Sequence, residues 1–173
     1  MSILALAYPK ISKEDYCWIQ QLRKNHDELY YQVVDPHFTL VFPTFNRSEE
    51  EFTAEIANKS ADFGQIDFTI RCAVIDKDAF NEYWHVFLVP DQGFSSIIKL
   101  HDQLYSENLL DSLLLEIPFI PHIGIGNSKD KWECKKLIDE INRNNINITG
   151  VIDSIDIIRF ENNKVEKIKK IIL

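Results

Sequence analysis

A chain of 173 residues, 45% apolar and 27% charged, suits one globular domain or two small lobes sharing a core, and excludes a disordered chain. A net charge of −8, from 27 acidic against 19 basic residues, disfavours a general duplex-DNA surface, which neutralises many phosphates with Lys and Arg. The cysteines Cys17, Cys72 and Cys134 form no CxxC pair, so they predict buried reduced thiols rather than a zinc ribbon or redox dithiol.

The first apolar run, ILALAY (Ile3 to Tyr8), is too short for a signal-peptide core or a membrane span. It reads as a buried strand closed by Pro9, and a cytoplasmic location with no membrane partner is the expectation. Ser12-x-x-Asp15 then resembles a capping box, with Trp18, Ile19 and Leu22 as the apolar stripe of a helix. PHFTLVF follows as a strand from His37 to Phe42. Ser48-x-x-Glu51 caps a second helix, whose Phe52 and Ile56 share a face. The β-branched run Ile66–Ile75 is a third strand.

The order then repeats. Tyr83–Val89 is a strand closed by Pro90, and Ile97, Leu100 and Leu104 mark a helix. A strand begins at His122, Trp132, Leu137, Ile138 and Ile141 mark another helix, and Ile152–Phe160 closes the set. A turn at Asn162-Asn163 leads into a last strand, VEKIKKIIL. Each half is thus strand, helix, Pro-His strand, helix, strand. The halves run over about 1–77 and 82–160, with 161–173 as an extension, and no Gly- or Ser-rich linker separates them. A single bilobal domain is expected over 1–173, with equivalent histidines carried to a shared cleft.

Side chains alternate along a strand, so His37, Thr39 and Val41 should share one face, and His122, Gly124 and Gly126 another. Histidine titrates near neutrality, so one imidazole can accept a proton while a second donates one. A cyclic or diester phosphate needs both, and a threonine hydroxyl two residues along can hold a non-bridging oxygen. A lone strand histidine is more often a packed residue; two at matching places in a repeat favour chemistry. His26 and His101 have no such echo and are expected at the surface, while His85 is expected to pack. A metal site from His37, His122 and Asp35 has no supporting spacing.

These residues resemble the two-histidine phosphoesterases, including the bacterial 2′-5′ RNA ligase-like proteins, which carry one His-x-Thr/Ser motif per lobe. PHFTLVF matches the first motif, and PFIPHIGIG, Pro118 to Gly126, resembles the second. The resemblance extends from the strand ending at Pro9 through YWHVFLVP. It implies an α+β fold, duplicated and bilobal, with two antiparallel sheets facing a central cleft and helices outside. It implies opening of 2′,3′-cyclic or related phosphodiesters by His37 and His122 as general acid and base, with no cofactor and no metal.

Phosphate binding would fall to Thr39 and Gly124. Gly124 stands where the family has Thr or Ser: either a backbone N–H takes over the phosphate contact, or the protein binds nucleotide phosphates with little turnover. A 2′-5′ RNA ligase and a plain scaffold are further readings. The expected partner of this monomer is a small nucleotide, short oligonucleotide or RNA end. A base could stack on Tyr8, Phe42, Tyr83 or Phe119, and Arg71 and Arg159 could supply positive charge.

Overall fold

The computed structural model describes residues 1–173, with nine strands, four α-helices and one 3-10 turn. In chain order these are β1 (Ser2–Ala7), β2 (Lys10–Ile11), α1 (Lys13–His26), β3 (Phe38–Thr44), α2 (Glu49–Ser60), β4 (Ile66–Lys77), β5 (Trp84–Gln92), α3 (Phe94–Leu104), the turn at Glu107–Ser112, β6 (Ile123–Ser128), α4 (Lys131–Arg143), β7 (Ile148–Ile152), β8 (Ser154–Glu161) and β9 (Lys164–Ile172). No helix is long and apolar enough to cross a membrane.

The helices begin where side chains satisfy their free N–H groups. Ser12 accepts from the Asp15 N–H at 3.0 Å and Ser48 from the Glu51 N–H at 3.2 Å, as the sequence predicts. Asp130 caps α4 in the same way, through the Trp132 N–H. The β8–β9 hairpin also forms as expected, with Asn162 and Asn163 both at positive φ (50° and 61°) in its two-residue turn.

Two antiparallel sheets result, in the orders β3-β1-β8-β9 and β2-β7-β4-β5-β6. Their pairing exchanges strands between the sequence halves. β1 lies between β3 of its own half and β8 of the other; β5 lies between β6 of its own half and β4 of the other. Each sheet therefore needs the closing strand of the opposite half. The expected single strand Ile152–Phe160 is divided between the sheets: Ile152 ends β7 in one, and Ser154 opens β8 in the other. The break falls at Asp153, whose carboxylate is engaged by Lys10. β5 also runs through Pro90 to Gln92, with Pro90 opposite Ile70 at an irregularity in the β4–β5 register, a place where a strand tolerates proline.

One cluster of 30 buried side chains joins both sheets and all four helices, with Ala5, Leu40, Ile56, Leu88, Ile97, Ile125 and Ile157 wholly inside. A smaller cluster of Leu4, Leu6 and Ile158 lies on the other face of β1 and β8. Of the cysteines only Cys134 is buried; Cys17 is exposed on α1 and Cys72 is half-buried, so the expected burial holds for one thiol of three.

Candidate functional site

His37 and His122 stand one residue before the first bonded residues of β3 and β6, and both are held in the same way. His37 Nδ1 lies 2.7 Å from the carbonyl of Asp35, and His122 Nδ1 lies 2.6 Å from the carbonyl of Ile120. A carbonyl only accepts, so each Nδ1 carries the hydrogen and donates it. Each Nε2 is left to meet a ligand. The Pro-His step makes this geometry local: proline keeps the preceding residue extended, so its carbonyl stands within reach of the histidine two residues on.

Burial holds both imidazoles down to about 4. In His37 desolvation is the largest cause, opposed by the Asp35 carbonyl and reinforced by the Arg23 guanidinium. In His122 desolvation again leads, and the positive charges that His37 and His85 would carry add to it. The two rings are thus within electrostatic reach of each other. With both neutral at pH 7, each Nε2 presents a lone pair.

The flanking strands depart from simple alternation. β3 pairs Val41 with Ala5 but Thr39 with Leu6, so a bulge lies between them. It turns Val41 into the core, not onto the face of His37 and Thr39, and brings out Phe42, which is 45% exposed. β6 has the matching irregularity, with Gly126 opposite Val86 and Gly124 opposite Phe87. Gly124 remains on the His122 face, and a Cβ there would meet nothing within 4 Å. Gly126 faces the other way: a Cβ would lie 3.1 Å from both the His26 Cβ and the Leu137 Cδ2. It serves the close approach of α1 and α4, not the cleft.

Aromatic rings set the two histidines differently. Phe87 lies flat on His122, centroids 3.6 Å apart, and continues through His85 to Tyr30. His85 packs as expected, with its Nε2 2.8 Å from Asp78 Oδ2. His37 has no such stack: its ring stands 6.1 Å from that of Tyr8 at a steep angle of 61°. His101, expected at the surface, is instead 2% exposed: it stacks on Phe119 at 3.6 Å and bonds the Leu40 carbonyl through Nδ1. Its position on α3 follows Ile97 and Leu100 on the buried side, which outweighs its polarity. His26 is exposed as expected.

The arginines named from sequence do not reach the site, because Arg71 pairs with Asp91, and Arg159 with Glu49 and Glu166. Tyr83 sits beneath the Lys129 ammonium, 5.5 Å from it. The charge that does approach His37 is Arg23, 2% exposed on α1. Its Nε donates to Asp27 at 3.0 Å and its other nitrogens to Gln20 and the Tyr30 carbonyl. Asp27 in turn accepts from the Tyr30 N–H and from Asn127 Nδ2 of β6. This buried network ties the loop leading to His37 to the strand that follows His122. Its signal in the sequence is a charge on an apolar stripe, since Arg23 lies four residues after Ile19.

No group of three or more His, Cys, Asp or Glu side chains is placed to hold a metal ion. The family model of the 2′-5′ RNA ligase superfamily matches residues 9–164. Among solved structures, Escherichia coli LigT complexed with 3′-AMP aligns over 99% of this chain and 97% of its own, with TM-score 0.59 and 16% identity. TT0787 of Thermus thermophilus aligns over 100% and 98%, with TM-score 0.63 and 13% identity. Kluyveromyces marxianus Usb1 aligns over 99% and 98%, with TM-score 0.55 and 7% identity. A sequence search of curated proteins gives no significant match. With the doubled histidine anchoring and the strand-exchanged sheets behind it, the match over most of the sequence settles the family: the chain belongs to the 2′-5′ RNA ligase superfamily.

Proposed function

We propose that this protein opens 2′,3′-cyclic or related phosphodiesters of nucleotides or RNA ends, without a metal, with His37 and His122 dividing between them the roles of general acid and general base. The supporting observation is the matched anchoring of the two rings, each donating Nδ1–H to the carbonyl two residues earlier and leaving Nε2 free. One Nε2 takes a proton from water as the oxygen attacks phosphorus. The other, protonated, gives its proton to the ribose oxygen as the P–O bond breaks, leaving a phosphomonoester. Each transfer contributes roughly 10²–10⁴-fold.

An anion between the rings favours the charged imidazole, so substrate itself raises the proton affinity of the donating histidine. Thr39 offers a hydroxyl on the His37 face. Opposite it, Gly124 leaves open space in which a phosphate oxygen or its water can approach the backbone. LigT forms complexes with 3′-AMP, ATP, NADP+ and phosphate, which supports small nucleotides as the ligand class here.

The missing hydroxyl at Gly124 favours a second reading, a module that binds nucleotide phosphates with little turnover. The superfamily's name raises a third, formation of a 2′-5′ linkage by the reverse chemistry. Incubation with 2′,3′-cyclic nucleotides in the presence of a chelator separates the first two. The proposal predicts a nucleoside monophosphate; saturable binding without product supports the second reading; abolition by the chelator overturns the metal-free mechanism.

A further inference from the structure

A pocket of about 400 Å³ opens beside His37, bounded by Tyr8, Tyr16, Asp35, Ile158, Val165 and Lys167. Asp35 belongs to both places: its carbonyl orients His37, while its carboxylate accepts from the Tyr16 hydroxyl at 3.0 Å. Tyr8 is the wall between them, its ring 6.1 Å from that of His37 and steeply tilted to it, its hydroxyl held at about 12 by burial and the carboxylates of Asp156 and Asp35.

The far rim is cationic by construction. Lys167 Nζ sits 5.0 Å above the Tyr8 ring and 3.0 Å from Asp156 Oδ1. Asp156 is 0% exposed, and apart from the Lys167 ammonium neither of its oxygens has a polar partner. It pairs across β1 with Leu6, which pairs in turn with Thr39, so Asp156 and Thr39 share the cleft face. A buried carboxylate with a single partner is costly, and a hydrophobic residue there would serve stability as well. What Asp156 does accomplish is to hold the Lys167 ammonium over Tyr8, where its half-exposed side chain can still meet a ligand. The strand that supplies Lys167 is basic in an acidic chain: β9 reads KVEKIKKII, four lysines against one glutamate.

We propose that this pocket is a subsite for the nucleotide adjoining the reacting phosphate, with Lys167 on its phosphate and the tyrosines and aliphatic floor against its base or ribose. The inference rests on the proposed function, and it selects oligonucleotide ends over free mononucleotides as the preferred ligand. The volume lies in the range of small-molecule sites, and the combination of flat apolar walls with one cation matches a nucleotide.

The test is calorimetric binding of a ribodinucleotide 3′-phosphate and of the matching mononucleotide 3′-phosphate, beside turnover of a 2′,3′-cyclic mononucleotide. Wild type should bind the dinucleotide about tenfold more tightly. Lys167→Gln should lose about fivefold on the dinucleotide alone and flatten its salt dependence, with Lys167→Arg retaining both. The Asp156→Asn/Lys167→Gln pair, which leaves no orphaned charge, should show the same loss. Equal affinities in wild type, or equal weakening of both ligands by Lys167→Gln, overturns the subsite. Turnover with no dinucleotide advantage removes only this inference. A dinucleotide advantage without turnover removes only the catalytic proposal, and binding of neither ligand removes both.

Discussion

Phe87 and His122 lie face to face, 3.6 Å between centroids and 15° between planes, at the head of a column that runs on through His85 to Tyr30. The stack fixes the plane of His122 while its Nδ1–H···O bond fixes the rotation, so Nε2 has one direction. Replacing Phe87 with Leu removes the first restraint and keeps the second. The expected result is a roughly tenfold fall in kcat with KM little changed, checked by steady-state kinetics on a cyclic nucleotide. A change confined to KM would instead make Phe87 a binding residue.

Gly124 tests the departure from the usual motif directly. Its missing side chain opens onto empty space and its φ is not positive, so Thr or Ser is expected to leave the melting temperature within a few degrees. If a second hydroxyl assists phosphate binding, Gly124→Ser lowers KM for the cyclic nucleotide several-fold. An unchanged KM would show that the backbone or a water already fills that role.

Stability should depend on pH through the histidines. Both His37 and His122 are held at about 4 when folded, below the 6.5 of a free imidazole. Between these values the unfolded chain binds more protons than the folded one, so stability falls as pH drops from 6.5 toward 4 and is fully present above 6.5. Denaturant unfolding at pH 7 and pH 4.5 should show this loss, and His37→Phe/His122→Phe should reduce it. The same low proton affinity predicts that kcat/KM declines from pH 5 to pH 8, because the free enzyme must hold one proton on the pair. The kcat profile should extend further to the alkaline side, since bound phosphate retains that proton. A kcat/KM optimum at pH 8 would contradict the depressed values.

The Arg23–Asp27 pair is 2% and 3% exposed at its side chains, and removing one partner leaves an unpaired buried charge. Arg23→Met should cost about 3–5 kcal/mol, measured by denaturant unfolding. Arg23→Met/Asp27→Leu, which removes both charges, should recover part of that loss. Equal costs for the single and double variants would mean that packing of the guanidinium stem, not charge, is what matters.

The strand-helix-strand repeat and the two histidines are legible in the sequence because each rests on local signals: proline before histidine, serine caps, apolar periods of 2 and 3.6. The departures share a cause. Val41, Phe42 and Gly126 lie on faces that simple alternation does not predict because a bulge inverts it, and bulges depend on pairing across strands. The exchange of β4 and β8, the burial of His101 and the neutralisation of Arg71 and Arg159 likewise depend on distant partners. Arg23 and Asp156 are visible only as charges in apolar patterns, Arg23 four residues after Ile19 and Asp156 between Ile155 and Ile157. Neither pattern says what the charge would meet.

Catalysis here turns on His37 and His122 dividing the proton transfers. The most direct measurement is single-turnover opening of a 2′,3′-cyclic nucleotide by wild type, His37→Gln and His122→Gln, each verified as folded by its unfolding transition. Each variant should lose about 10²–10⁴-fold in rate while still binding the nucleotide, and the double variant should lose little more than either alone. A folded single variant that retains wild-type turnover would contradict that division.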